Sequence, residues 1–267
     1  MKDILSEIVA DKRIEVDAAK KELPQDKLVA MAEAAPRSSR SMSRSLATSS
    51  SGIIAEFKRK SPSKGWIHED ADPLATIPLY EASGASALSI LTDGKYFGGN
   101  LDYIRKVRPL VGLPILRKDF IIDEYQLFEA RLAGADAVLL IAACLDRDTC
   151  GGLILKAHEL GLEVLLETHT EEELEYASLG ADMVGINNRN LGTFHTDVAN
   201  SFRLAEALKQ SATGAVLVSE SGISSPDTVR QLRQSGFRGF LMGENFMKQQ
   251  DPGLAVKEFI VELVSKA

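Results

Sequence analysis

Long apolar runs, sulfur and excess positive charge are all scarce in this chain of 267 residues. No run approaches the roughly 20 residues needed to cross a bilayer. The N-terminus mixes acids with bases and has no signal-peptide core, so the expectation is a cytoplasmic protein with no membrane partner. Only two cysteines occur, Cys144 and Cys150, and neither has His or Cys neighbours at metal-ligand spacing. They are expected as reduced thiols, with no structural zinc. A net charge of -7 argues against a general nucleic-acid binder, so any anionic ligand has to be met by a focused positive pocket. No Gly-x-Gly-x-x-Gly follows any apolar run, which removes the main support for an open dinucleotide-binding sheet.

What is present is ordinary globular material, 45% hydrophobic and 26% charged, enough for one large core. Residues 2 to about 34 have helical periodicity, with Ile4, Ile8, Val9, Ile14 and Val16 among charges and a break at Pro24. Residues 37–51 are rich in serine, carry Arg37, Arg40 and Arg44 and no acid, and suggest a solvated linker, as a loop or short helix. Residues 1–50 are therefore expected to be an N-terminal helical extension and linker within the same domain, and 51–267 the catalytic body.

From Ile53 onward eight short, β-rich apolar runs alternate with helical patterns: Ile53–Lys58, Ala87–Thr92, Pro114–Lys118, Ala137–Ile141, Glu163–Thr168, Met183–Asn187, Ala215–Ser219 and Gly239–Met242. Four helices close on a glycine directly before the next run, at Gly84-Ala85, Gly134-Ala135, Gly161-Leu162 and Gly180-Ala181. Eight βα units in a chain of this size predict a (β/α)8 TIM barrel of the α/β class, preceded by the helical extension.

In such a barrel the site lies where the strands end. Those ends are polar: Glu56 and Lys58, Lys118 and Asp119, Glu167 and His169, Asn187, Asn188 and Arg189, and Glu220 and Ser221. The N-terminal ends show no comparable collection. Alternation puts Glu56 and Lys58 on the face of Ile54, Lys118 on that of Leu116 and Glu167 on that of Leu165, so two lysines and two glutamates can converge inside. A solvated edge strand is the alternative for the first pair alone, but buried charges are tolerated when paired or held for chemistry. Ser219-Glu220-Ser221-Gly222-Ile223 and Met242-Gly243-Glu244-Asn245 each run into a helix, and glycine backbone there can approach a phosphate. Plain βα turns are the competing reading, weakened because Ser221 and Arg189 are at hand as donors. Phe97, Phe120, Leu139, Ile141 and Leu191 near the same rim offer room for an aromatic ring, although Leu139 and Ile141 alone would read as core.

The segments Ile54-Ala55-Glu56-Phe57-Lys58-Arg59-Lys60-Ser61-Pro62-Ser63, Ile115-Leu116-Arg117-Lys118-Asp119-Phe120, Leu166-Glu167-Thr168-His169, Gly185-Ile186-Asn187-Asn188-Arg189-Asn190-Leu191 and Ser219-Glu220-Ser221-Gly222-Ile223 together resemble the indole-3-glycerol phosphate synthase family. They do so in order and spacing over nearly the whole chain. The resemblance implies a carboxy-lyase of tryptophan biosynthesis that closes the indole ring of 1-(2-carboxyphenylamino)-1-deoxyribulose 5-phosphate, losing carbon dioxide and water. It implies no metal and no organic cofactor. By the same resemblance Lys118 is the acid of ring closure, supported by Glu167. Lys58 and Glu56 serve the dehydration, with Lys58 also near the substrate carboxylate, and Asn187 binds substrate hydroxyls. Ser61, Arg189, Ser221, Gly222 and Gly243 match the phosphate site, Phe97, Phe120, Leu139, Ile141 and Leu191 the anthranilate pocket, and Glu220 stands among the substrate-binding residues.

Glu244 departs from the family pattern, since a carboxylate there repels phosphate, and it is left outside the expected site while the backbone beside Gly243 is kept in it. Both lysines are ammonium donors at one rim, so their acid roles can be exchanged on sequence grounds. Two rivals stand beside this reading. One is another phosphate-binding barrel such as phosphoribosylanthranilate isomerase, whose Cys and Asp pair has no counterpart at these strand ends. The other is a barrel that only binds a phosphorylated aromatic, against which the intact Glu56, Lys58, Lys118 and Glu167 speak. The partner expected is a small phosphorylated aromatic substrate, with no nucleic acid, and the assembly a monomer or weak homodimer.

Overall fold

The computed structural model describes residues 4–190 and 192–265. Its strands are β1 (Ile53–Phe57), β2 (Ala87–Leu91), β3 (Ile115–Lys118), β4 (Ala137–Ile141), β5 (Glu163–Thr168), β6 (Met183–Asn187), β7 (Val216–Glu220) and β8 (Gly239–Met242). All eight pair in parallel with their sequence neighbours, and β8 returns to β1, closing a barrel. The eight runs singled out in the sequence are these strands. Ile54 of β1 stands opposite Leu241 on one side and Ala87 on the other, which fixes the interior row.

Ahead of the barrel come α1 (Ile4–Glu22), α2 (Gln25–Ala34) and α3 (Met42–Thr48). Around it run α4 (Pro73–Ala82), α5 (Gly94–Phe97), α6 (Leu101–Val107), α7 (Glu124–Ala133), α8 (Arg147–Glu159), α9 (Ala199–Ser211), α10 (Pro226–Gln234), α11 (Glu244–Met247) and α12 (Pro252–Ser265). The fifth unit uses a 3₁₀ helix, Glu172–Leu179, whose buried Leu174 and Ala177 are spaced by the three residues of one 3₁₀ turn. Among the described residues no helix is long and apolar enough to cross a membrane.

Local chemistry explains where the helices begin and end. Asp123 caps α7 by accepting from Tyr125 N–H while Gln126 reaches back to the cap backbone. These bonds satisfy donors that the first helical turn leaves free. The helix stops at Gly134, whose φ of +91° lies in the left-handed region, and a Cβ there would sit 2.8 Å from Arg108 Cγ. The chain then turns straight into β4.

Alternation divides the core in two. Ile53, Ala55 and Phe57 face the surrounding helices, whereas Ile54, Ala87, Leu116, Leu139, Leu165, Met183, Val218 and Leu241 fill the barrel. Met42 and Leu46 of α3 belong to this inner cluster and are fully buried, each side chain contributing about 1.5–3 kcal/mol by leaving water. Residues 41–51 are thus a plug in the base of the barrel, not the solvated linker their composition suggests. The serines are fasteners: Ser41 and Ser43 bond Glu163, Ser45 bonds the Ser86 carbonyl, and Ser49 and Ser51 meet the Ser86 hydroxyl. Arg37, Arg40 and Arg44 stay exposed.

The base also corrects the expectation that charge collects only at the opposite end. Asp136, Glu163 and Asp182 precede or begin β4, β5 and β6. Asp136 pairs with Arg108 at 2.7 Å and accepts from Ile115 N–H and Ser38, and Asp182 accepts from Val164 N–H and contacts His158 at 2.9 Å. These carboxylates are taken up by local donors, so the base is a stapled end and the reactive one is the rim above.

Candidate active site

Two adjoining hollows occupy the C-terminal rim. The larger, about 520 Å³, lies over β7, β8 and β1 and is lined by Ser63, Lys64, Arg189, Ser221, Gly222, Gly243, Glu244 and Lys248. The smaller, about 120 Å³, lies over β3 and β4 and is lined by Phe97, Phe120, Leu139, Ile141, Pro62 and three residues of α1, Ile4, Leu5 and Ile8. Glu56, Lys58, Arg189 and Ser221 line both, while Lys118, Glu167, Asn187 and Glu220 line the smaller. The charged groups therefore stand between a polar space and an apolar one. Phe97 and Phe120 face each other with ring centroids 6.0 Å apart.

The four charges at the ends of β1, β3 and β5 converge as alternation requires. Lys58 Nζ lies 2.8 Å from Glu56 Oε1, and Lys118 Nζ lies 3.0 Å from Glu167 Oε2 and 3.7 Å from Glu220 Oε2. Burial by itself lowers the Lys118 ammonium, but the attraction of Glu167, Glu220 and Glu56 outweighs it and raises it above the ordinary lysine value. Lys118 therefore keeps its proton at neutral pH. Glu56 and Glu167 are likewise penalised by burial, yet Lys58 and Lys118 hold the first below the usual carboxylate range. Lys118 with His169 holds the second well below it.

Glu220 goes the other way. It is buried, neither carboxyl oxygen has a hydrogen-bond partner among the described residues, and burial together with the Glu167 charge pushes it up to about 8. Two carboxylates share one lysine, so the better-paired one is held low and the other is pushed up. Gly185 makes room for it, because a Cβ there would lie 2.2 Å from Glu220 Oε1.

His169, beyond β5 and with its side chain largely covered, sits 3.3 Å from Glu167 and 3.4 Å from Glu173. Desolvation opposes its charge, but the two carboxylates prevail and raise it to about 9, so an imidazolium backs Glu167. Asp119, next to Lys118, points to the opposite face, where Arg117 at 3.2 Å and Lys12 of α1 at 3.0 Å meet it. Burial would raise this carboxyl; Arg117 and Lys12 instead bring it down to about 2. Lys12 is itself buried and also reaches Asp93 at 3.1 Å. That pairing seats α1 across the rim and carries Ile4, Leu5 and Ile8 to the smaller hollow.

The loop after β7 is shaped for close approach. Ser221 has φ +67°, rare for a residue with a side chain, and Gly222 follows at +76°. Asn188 Nδ2 donates to the Ser221 carbonyl at 3.0 Å, tying this loop to the one after β6, where Asn187 Oδ1 accepts from Arg189 N–H at 3.0 Å. Arg189 donates to Ser63 Oγ at 3.0 Å and contacts Glu244 at 3.3 Å.

Of the residues expected from sequence, Glu56, Lys58, Phe97, Lys118, Phe120, Leu139, Ile141, Glu167, Asn187, Arg189, Glu220, Ser221, Gly222 and Gly243 line this cleft. Ser61 does not. It is buried in a small hairpin, its hydroxyl accepting from Lys64 N–H at 3.2 Å, and Ser63 is the hydroxyl that faces Arg189. Leu191 lies outside the described residues. Sequence reasoning missed Ser63, Lys64, Phe194, Lys248 and the α1 residues. The first two stood in the same motif as Ser61, whereas the apolar stripe of α1 is indistinguishable in sequence from a packing face.

Comparison with known proteins shows the family. The family model described as indole-3-glycerol phosphate synthase matches residues 5–259. A protein of Bacteroides thetaiotaomicron named indole-3-glycerol phosphate synthase is 62% identical over 260 residues, covering 97% of this chain and 98% of its own. One of the same name from Laribacter hongkongensis is 44% identical over 261 residues, covering 96% and 98%. The crystal structure of 3-hexulose-6-phosphate synthase superposes with a TM-score of 0.59 over 78% of this chain and 98% of its own, at 17% identity, a likeness of fold alone. The chain belongs to the indole-3-glycerol phosphate synthase family, carboxy-lyases of tryptophan biosynthesis.

Proposed function

We propose that the two halves of the rim divide the reaction between two lysines. The substrate's phosphate occupies the larger hollow, met by Arg189, the Ser221 hydroxyl and the backbone at Gly222 and Gly243, and its aromatic ring packs beside Phe97 and Phe120 above Leu139 and Ile141. That placement suspends the sugar ketone among Lys118, Lys58 and Glu56. Lys118 donates a proton to the ketone oxygen as the ring carbon bearing the carboxylate attacks, and carbon dioxide then leaves to restore aromaticity. Glu167, held ionised by Lys118 and His169, stabilises the positive charge that develops on the ring. Lys58 then protonates the departing hydroxyl while Glu56 accepts a proton from the methylene carbon beside the nitrogen, which forms the indole double bond and leaves the N–H in place, and Asn187 bonds the sugar hydroxyls.

The observation that carries this reading is the convergence of Glu56–Lys58 and Lys118–Glu167 as two separate ion pairs, at 2.8 and 3.0 Å, between a polar and an apolar hollow. Each pair supplies one acid and one base or counter-charge, as two successive proton transfers require. The test is conversion of 1-(2-carboxyphenylamino)-1-deoxyribulose 5-phosphate to the fluorescent indole product without added metal. Lys118→Ala should abolish it while leaving the far-ultraviolet circular dichroism unchanged, and undiminished turnover in that variant would refute the assignment. The structure describes one chain, and a monomer or weak homodimer in the cytoplasm is the assembly and location we propose.

A further inference from the structure

The larger hollow already contains an anion of its own. Four cations line it, Lys58, Lys64, Arg189 and Lys248, against two carboxylates, Glu56 and Glu244. Glu56 is committed to Lys58 at 2.8 Å, deep in the rim. Glu244 has a different situation. It opens α11 directly after Gly243, with its side chain about one-third exposed, and its Oε2 lies 3.3 Å from Nη2 of Arg189. Nη1 is taken by Ser63 Oγ at 3.0 Å, and Nε is buried without a hydrogen-bond partner among the described residues. The arginine assigned to the phosphate is thus already paired with a carboxylate that lines the same hollow.

We propose that Glu244 is a resident anion that the substrate's phosphate displaces from Arg189, and that it returns to Arg189 as the phosphorylated product leaves. The inference rests on the phosphate reading of the larger hollow. A carboxylate and a phosphate cannot share one guanidinium face at contact without like-charge repulsion, so binding requires the Glu244 side chain to swing to solvent, which its exposure permits. The exchange of one charge-assisted contact for another lowers phosphate affinity and shortens the residence of both substrate and product. Because both carry the same phosphate, a site that held it without competition would be slow to empty.

Glu244→Gln keeps the shape and removes the charge. Calorimetric titration of purified protein with inorganic phosphate should show binding about tenfold tighter in this variant than in wild type, the value of one charge-assisted contact. The steady-state KM should fall in step, and inhibition by the indole product should strengthen. Glu244→Ser, with no side chain able to reach Arg189, should shift in the same direction. If Glu244 merely holds Arg189 in place, both variants bind phosphate more weakly, and that sign, or an unchanged affinity, would overturn the proposal. Arg189→Ala separates this from failure of the underlying reading: phosphate that binds neither wild type nor Glu244→Gln, or that binds Arg189→Ala as well as wild type, overturns the phosphate assignment itself.

Discussion

Lys12→Met isolates the charge that seats α1 on the rim. Methionine has nearly the volume of the lysine stem, so packing is retained and the change is electrostatic. Lys12 is 1% exposed and contacts Asp93 at 3.1 Å, Asp119 at 3.0 Å and Glu15 at 2.8 Å. Removing one partner of a buried ion pair costs about 3–5 kcal/mol because the remaining charge is left uncompensated. Here Asp119 keeps Arg117 at 3.2 Å and Thr92 at 2.5 Å, so the lower end, about 3 kcal/mol, is the expected penalty. A terminal helix can escape that penalty by lifting off, which leaves the barrel folded and returns Asp93 and Asp119 to water. The loss should therefore be local. Amide hydrogen exchange within α1 should accelerate by roughly a hundredfold, at one power of ten per 1.36 kcal/mol, while the strands keep their protection. KM should rise as well, since Ile4, Leu5 and Ile8 leave the apolar hollow with the helix. Protection in α1 within threefold of wild type would refute the reasoning.

Two further outcomes follow from the rim. His169 is raised to about 9 in the folded protein, so its contribution to stability is fully present below the ordinary histidine value of about 6.5 and is lost as pH rises through about 9. The melting temperatures of wild type and His169→Asn should differ at pH 6 and converge by pH 10, and a constant difference would contradict the pairing with Glu167 and Glu173. In Gly243→Ala the new methyl would lie 2.5 Å from Glu56 Oε1, which pushes Glu56 off Lys58. Turnover should fall by about a hundredfold, the low end for a displaced general base, with little change in melting temperature, and turnover near wild type would show that Glu56 needs no fixed position.

Sequence carried most of the barrel because each strand is a short run buried on both faces, and such runs keep their signal whatever packs on them. Polar residues at their ends stood out for the same reason: Lys118 after Ile115-Leu116-Arg117, or Glu167 after Leu165-Leu166, is anomalous in its surroundings. Where meaning depends on a distant partner, the signal vanishes. Met42 and Leu46 are two apolar residues among serines and become a plug only because the base of the barrel lies above them. Lys12 looks like the charged side of an exposed helix until Asp93 and Asp119, some 80 and 110 positions away, are brought to it by the fold. Ser61 and Ser63 differ by two positions in one motif, and the hairpin that turns the first inward and the second toward Arg189 leaves no mark in composition. The acids at the base, Asp136, Glu163 and Asp182, escaped notice because each stands two residues after a glycine, at or just before the start of a strand, and reads as turn chemistry.

The division of labour between the two lysines is the central claim, and release of carbon dioxide separates their steps. Ring closure precedes decarboxylation, and dehydration follows it. In single-turnover experiments with labelled carboxylate, Lys118→Met should release neither carbon dioxide nor indole product. Lys58→Met should release carbon dioxide at a rate near wild type while indole fluorescence fails to appear. Carbon dioxide release by Lys118→Met, or its loss in Lys58→Met, would contradict the account and exchange the two roles.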